Sequence, residues 1–579
     1  MKQDQNSSQP TIPVYGRPEF ANTLQQVYSG HLPEQPMPPD TAYQLIKDEL
    51  LADAKPGLNL ATFCNETFTD PYGEKIIADS IKKNFIDHTE YPGTNLAEKR
   101  SIRIIATEVG TVFDEHELAD PTAEAQQGLY GSATIGSSEA IMLGLIAHRF
   151  MWEQKHRLLL ENPQWGIRVD PRDRPVVLMS AHVHGCWDKY CRYFNAVPLY
   201  IEIMGPPYAV HDGESFSRIL RTPLDDPESP QSAYLRRIMG YTTPQTGRTI
   251  GELVMCVGAV VGSTFTGNYD NIPSIDFNVD HYCMEYNQHY ASVRGAYEDA
   301  YRGQYRGQFG KRPQRIPELM DIPIHVDAAA AGFVLMYSSN GAGVKFNFRD
   351  CPRRVLSLSM SNHKFGMTFT GLGSVVFKNS LVVDPSLVYN IAYLGGSFDD
   401  YTVNFSRGSA MVVMQYYNFL NFGRAGYRAI MDNCVANTAW FVENLGKDEL
   451  LGRYLKNISN LPIDSERGEI YLPIIALSFQ DGAHRAGWTL TDLSDKLAES
   501  GWVVPAYHIP VHSPDDTDGI EVLRIVVQQS VTRDKLNTLL RNMRTAIELL
   551  DQFPPEQSAT ARGQRRLRRK IARHTACLC

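Results

Sequence analysis

Between residues 130 and 410 the chain alternates short apolar runs with longer stretches of helical period. The runs PVVLMSAH, GELVMCVGAVVGS, IPIHVDAAA, VLSLSMS and GSVVFKN show no regular polar alternation, which predicts strands buried on both faces. Helical stretches between them predict a largely parallel sheet covered on both sides, with ligands collecting at the loops beyond the strand ends. After the helical run MVVMQYYNFLNFGRAGYRAIMDNCVANTAWFVENL the pattern changes to the strands EIYLPIIALSFQ and EVLRIVVQQ and the helices LTDLSDKLAESG and RDKLNTLLRNMRTAIELLDQF. This predicts a smaller α+β domain beginning near residue 434.

The expected organisation is an arm and helical segment over 1–58, a large domain over 59–433, a small C-terminal domain over 434–553 and a basic tail over 554–579. TAYQLIKDELLADA is the helical part of the first segment; the Pro, Gln and Ser before it carry little periodicity. Two stretches of the large domain read as insertions. One, 206–248, is rich in Pro, Asp, Ser and Thr; the other, 284–316, contains the repeat YRGQYRGQFG. Arg interleaved with Tyr and Gly can stack on single-stranded nucleic acid, but one imperfect repeat reads more simply as a solvated surface insertion.

Length and charge narrow the classes. A chain of 579 residues exceeds what a single core supports. Its net charge of −9 gives no global attraction to nucleic acid, and none is expected as a partner. Nine cysteines lie scattered without paired spacing, so neither a disulfide framework nor a metal module is indicated, and a reducing cytoplasmic setting fits. The polar start MKQDQNSSQPTIPVYG and the lack of a long apolar run read as a soluble chain.

Three clusters carry chemistry. In SLSMSNHKFG, Lys364 follows a strand on a short loop, where burial can lower its pKa and make the amine a Schiff-base partner, although most lysines in turns are simply solvated. In HVDAAAAGF, Asp327 ends a strand in apolar surroundings that suit a carboxylate only beside a fixed cation; a helix-capping role is the alternative. Small Ala329 leaves room for a flat ring. In YGSATIGSSEAIMLG, Gly136, Ser137 and Ser138 open a helix and offer N–H groups and hydroxyls to a phosphate, or cap that helix in the ordinary way.

Together with NLATFC, IKKNFIDHTEYP, GSSEA, CWDKY, STFTGNY, HVDAA, NHKFG, YLGGS, NFSRGS, GYRAIMDNC and VVPAY followed by VLRIVV, these clusters closely resemble the group II pyridoxal-phosphate-dependent decarboxylases, and within them the glutamate decarboxylases. The resemblance runs from about Tyr43 to Phe553. It implies an α/β, fold-type I transferase-like architecture with a mostly parallel central sheet and a small α+β domain. It also implies the cofactor pyridoxal 5'-phosphate, decarboxylation of L-glutamate to 4-aminobutyrate, and at least a homodimer. Carried over by position, it assigns Lys364 to the Schiff base and Asp327 to the pyridinium nitrogen. Ser137, Ser138, Ser361 and His363 fall in the phosphate region, His184 on the ring face, and Thr264 near the phenolic oxygen. Ser406 would reach a phosphate across the dimer interface. Thr62, Phe63 and Asp87 match the distal-carboxylate segment, Arg524 the α-carboxylate arginine, and Tyr393 and Leu394 a covering loop from a neighbouring subunit.

Some positions depart from that pattern. Ala330 and Ala331 stand where Ser and Gly are usual, Asp188 follows CW in place of His or Lys, and Gln528-Gln529 stand where charged residues are common. These departures leave aspartate, cysteine sulfinate or a specialised-metabolite precursor as alternative substrates, and an inactive protein of the same fold as a further alternative. The tail has seven basic residues between Arg562 and Arg573, with Leu567, Ile571 and Leu578 able to share one helical face. A solvated tail, a calmodulin-binding segment or an anionic-membrane contact all fit that pattern.

Overall fold

The structure, a computed structural model, describes residues 32, 36–64, 66–119, 129–203, 205–206, 208–210, 212–305, 315–391, 398–459, 472–483, 487–516 and 518–555. Tyr393, Leu394, the basic tail and most of the N-terminal arm lie outside them. The chain forms two units, one up to Leu58 and one from Asn59 onward. In the first, helix α1 (Pro39–Glu49) starts with Pro at its first turn and continues into a short 3₁₀ turn, Leu50–Ala52.

The second unit is built on a seven-stranded sheet: β1 (Gly131–Thr134), β2 (Val176–Ser180), β3 (Val197–Ile201), β4 (Val254–Val260), β5 (Ile324–Asp327), β6 (Val355–Met360) and β7 (Gly373–Phe377). Their order is β1-β7-β6-β5-β4-β2-β3, and only β7 runs against the others. The continuous apolar runs are explained by alternation between two cores. Val176 and Leu178 of β2 enter one cluster while Val177 and Met179 enter another on the opposite face. Helix α2 (Pro71–Ser80) is capped by Asp70, and α3 (Pro92–Val109) buries Ile105, Ala106 and Val109 in the first cluster. On the other face lie α4 (Ser137–Glu161) and α5 (Cys186–Tyr193).

The stretch 206–248 is not a loose surface loop. Its helices α6 (Glu214–Arg221) and α7 (Pro230–Met239) drive Phe216, Leu220, Leu235 and Met239 into the main core. Arg248 and Asp173 pair at 2.7 Å, both almost wholly buried. In the described part of 284–316 most residues are exposed or half-buried, and Tyr297 and Tyr301 are buried. After helix α8 (Ile272–His289), helix α9 (Arg294–Tyr305) packs Tyr297 and Tyr301 against α4, and Tyr301, within the YRGQ repeat, is 0% exposed. Tyrosine there is a core anchor rather than a stacking platform.

Helix α10 (Gly332–Tyr337) follows β5, and a two-stranded ribbon, β8 (Tyr389–Ile391) with β9 (Phe398–Asp400), precedes the long helix α11 (Ala410–Lys447). α11 is broken at Gly423, whose positive φ of 56° suits glycine. The boundary expected near 434 falls inside its second arm. A four-stranded antiparallel sheet follows, order β10 (Leu455–Asn457), β11 (Ile474–Phe479), β13 (Glu521–Val526), β12 (Ala506–His508), with α12 (Leu490–Glu499) and α13 (Arg533–Gln552).

Beneath the central sheet a buried hydroxyl joins two imidazoles: Ser357 Oγ lies 2.7 Å from both His148 Nε2 and His325 Nδ1. One hydroxyl can donate to only one of them, so the two tautomers are linked. Gly144 allows this approach, since a Cβ there would stand 2.5 Å from His325 Nδ1. Burial lowers both imidazoles to about 3. An unfolded chain protonates each as the pH falls through about 6.5 and the native chain does not, so acid favours unfolding by about 1.4 kcal/mol per pH unit per group at full slope. Buried Asp270, raised to about 6, acts in the opposite sense below that pH. The stability of His148→Gln should therefore depend less steeply on pH between about 6 and 4 than that of the wild type. Urea unfolding across that range checks this, and coincident slopes would contradict it.

Candidate active site

Lys364 sits in the turn after β6, its N–H donating to Ser361 O at 3.1 Å. Its Nζ lies 4.6 Å from the centroid of the Phe63 ring. Burial pushes the amine below the ordinary lysine range and nearby Arg524 adds to this, while Asp327 opposes it. A desolvated amine biased toward its neutral form is a better nucleophile.

Asp327, the last residue of β5, is 4% exposed. Oδ1 accepts from Ala329 N at 3.1 Å and Oδ2 from Trp187 Nε1 at 3.2 Å. Both donors are neutral, so the carboxylate is oriented without being neutralised, which suits a cationic ring nitrogen placed against it. Trp187 is 0% exposed and meets His325 edge to face at 5.5 Å. Nothing in the local pattern singles out Trp187, because it reaches Asp327 only through the fold. Asp188, the next residue, accepts from Tyr200 on β3 and so turns away from Asp327. Ala330 and Ala331 are buried in the main core, and Ala331 packs against the bare Cα of Gly262.

Ser137 and Ser138 open α4 beside His363: a Cβ on Gly136 would lie 3.5 Å from His363 Cε1. No side chain caps this helix start, so the capping alternative fails and its N–H groups remain available to an anion. Glu139 instead accepts from Ile135 N at 2.8 Å and from Val403 N and Asn404 N at 3.0 and 3.2 Å, tying the turn to the segment that leads to Ser406. His363 Nδ1 is 2.7 Å from Leu372 O, and burial lowers its pKa. Ser361 Oγ is buried without a hydrogen-bond partner among the described residues, an orphan that a phosphate oxygen would satisfy. Pyridoxal phosphate thus fits at both ends: an anion seat at the helix start and an oriented carboxylate at Asp327.

His184 is exposed, and its Nδ1 accepts from Cys186 N at 3.3 Å. The protein packed around it and the nearby Lys364 lower its pKa, favouring a neutral, flat ring. Arg524 on β13 donates to the carbonyls of Thr264 and Ala61, and its guanidinium lies 5.7 Å from the rings of both Phe63 and Tyr507. Its Nε is buried and has no partner among the described residues. Thr62, Phe63, Thr264, Arg524 and Lys364 are therefore brought together within one chain. Asp87 and Ser406 are not. Asn84 Nδ2 is 3.4 Å from Ser406 Oγ and Phe85 N donates to Arg407 O, so the 84–88 and 406–408 segments hold each other, with Phe85 and Ile86 buried and Ser406 exposed.

Residues 72–204 and 245–452 match the pyridoxal-dependent decarboxylase conserved domain, and the gap between them falls on the first of the two insertions. The chain is 30% identical to glutamate decarboxylase 1 of Arabidopsis thaliana over 525 residues, 90% of this chain and 83% of that one. It is 28% identical to the glutamate decarboxylase of Lactococcus lactis subsp. cremoris (strain MG1363) over 520 residues, covering 90% and 89%. Among solved structures it is similar to Lactobacillus brevis CGMCC 1306 glutamate decarboxylase, with a TM-score of 0.64, 26% identity and coverage of 91% and 97%. Catharanthus roseus tryptophan decarboxylase shares the fold, with a TM-score of 0.59, 15% identity and coverage of 91% and 92%.

Proposed function

The chain belongs to the pyridoxal-dependent decarboxylase family and is a pyridoxal-phosphate-dependent carboxy-lyase, and from that premise we propose that it converts L-glutamate to 4-aminobutyrate and carbon dioxide. The observation that carries this reading is the placement of Arg524 and the Ala61–Phe63 segment on one side of Lys364, with Phe63 touching both the amine and the guanidinium. A substrate with a carboxylate at each end suits that arrangement. The curated relatives named glutamate decarboxylase support it.

When bound, the cofactor supplies a ring that draws electrons from the substrate's α-carbon. Lys364 would hold its aldehyde carbon, Asp327 its ring nitrogen, and Ser137, Ser138, Ser361 and His363 its phosphate. His184 would cover the ring, Ala329 leave room for it, and Thr264 lie near its phenolic oxygen. Arg524 grips the α-carboxylate through its planar fork and so fixes the direction of the bond that breaks. Because that guanidinium is already tied to two backbone carbonyls, it needs little reorganisation to do so. Thr62 and Phe63 line the distal end.

A homodimer is the minimal unit in this proposal. Ser406 bonds to Asn84 in its own chain and is exposed, and Tyr72, Leu420, Val403, Phe68 and Phe405 expose large apolar side chains that a second copy would cover. Tyr393 and Leu394 keep their assignment to the cover of the neighbouring site from sequence alone. A cytoplasmic setting is supported by the seven described cysteines, all of them free. No helix among the described residues is long and apolar enough to cross a membrane.

The test is carbon dioxide release from L-glutamate, L-aspartate, cysteine sulfinate and aromatic amino acids. Glutamate should lead in kcat/KM by about tenfold or more. A different leading substrate would overturn the proposal while leaving the family intact.

A further inference from the structure

The segment that bears Thr62 and Phe63 is held at successive carbonyls by the C-terminal strand. Val526 N donates to Leu60 O at 2.9 Å, the Arg524 guanidinium to Ala61 O, and Gln528 Nε2 to Thr62 O. Leu60 N in turn donates to Val503 O at 2.9 Å. One residue further along, Gln529 Nε2 donates to Glu66 O at 2.9 Å, and Lys535 Nζ lies 3.3 Å from Glu66 Oε2. Gln528 is 3% exposed and its Oε1 has no partner among the described residues, so its amide is held there through its donor to Thr62 O. The cation and the segment are thus parts of one clasp: Arg524 cannot shift without Ala61, and Thr62 cannot shift without Gln528.

We propose that this clasp sets the spacing between the two carboxylate-holding ends of the site and so selects the substrate by chain length, with Gln528 as the positioning residue. The inference rests on the glutamate reading. Two dicarboxylic amino acids that differ by one methylene present the same charges and differ only in span. A pocket wall alone separates such a pair weakly, whereas polar groups held at a fixed distance penalise the wrong length by leaving a buried partner unpaired. The hydrogen bonds to the Leu60, Ala61 and Thr62 carbonyls are what hold that distance.

The experiment compares Gln528→Met, which keeps length and burial but cannot donate, with Gln529→Met, which frees Glu66 from a more accessible position. For each holoenzyme, kcat and KM are measured with L-aspartate, L-glutamate and L-2-aminoadipate, and cofactor affinity is followed by absorbance titration. Gln528→Met should lower kcat/KM for glutamate about tenfold, mostly through KM, and narrow the ratio of glutamate to 2-aminoadipate about fivefold, with cofactor affinity unchanged. Gln529→Met should move the ratio in the same direction by about twofold. Ratios unchanged in both variants, or losses that merely follow lost cofactor, overturn the clasp while the glutamate reading stands. A wild-type enzyme that prefers an amino acid without a distal carboxylate overturns both.

Discussion

Lys364→Ala should lower the rate of decarboxylation by about 10⁴-fold or more and abolish the absorbance near about 420 nm expected of a lysine-bound cofactor. The loss follows from position. The amine is desolvated beside Phe63 and biased toward its neutral form, and removing it takes away both the covalent anchor and the group that leaves room for substrate. The fold should survive, because among the described residues the backbone hydrogen bonds at this residue are turn bonds within the loop, to Ser361 O and from Met367 N. Turnover of roughly a tenth of wild type, measured as carbon dioxide release, would remove Lys364 from the chemistry.

Asp327→Asn should be the next most damaging change, lowering kcat by about 10²- to 10³-fold with a smaller effect on KM. The amide matches the carboxylate in shape, and its oxygen can still accept from Trp187 or Ala329, so the side chain should keep its place. It loses the charge that would stabilise a protonated ring nitrogen. Rates on glutamate alongside a urea midpoint separate the two effects. An unchanged kcat in a stably folded variant would contradict the role given to Asp327.

The parts of this site that could be read from sequence are those set by neighbours in the chain. Lys364 follows a buried strand, Asp327 ends one, and Ser137-Ser138 open a helix, so local pattern placed each of them on the correct kind of element. The strands themselves were legible for the same reason, although apolar runs alone could not show that β7 is reversed, since direction is decided by pairing. Trp187 was out of reach, because its partner lies 140 residues away. Glu139 read as part of a helix start, whereas its work is to hold Val403 and Asn404. Gln528 and Gln529 stood out only as departures from a pattern, and their role became visible once β13 was seen beside residues 60–66. The Tyr-rich repeat suggested an exposed surface by residue type; Arg302 and Gly303 are exposed, while helical spacing puts Tyr301, with Tyr297 four residues before it, in the core.

The clasp also bears on how the enzyme comes into being. The Arg524 bond to Ala61 joins residues 463 apart in the chain, and the Gln528 bond to Thr62 joins residues 466 apart. On the ribosome, the first piece of the substrate site is made early and must wait for the last strand before the Leu60, Ala61 and Thr62 carbonyls gain their partners. Nascent chains that stop short of β13 carry Lys364, Asp327 and the helix start of α4, and so could capture cofactor, but have no fixed place for an amino acid. Closing so long a loop is slow and comes late. A chain that stops before β13 lacks Arg524 and Gln528, the side chains that hold Ala61 and Thr62.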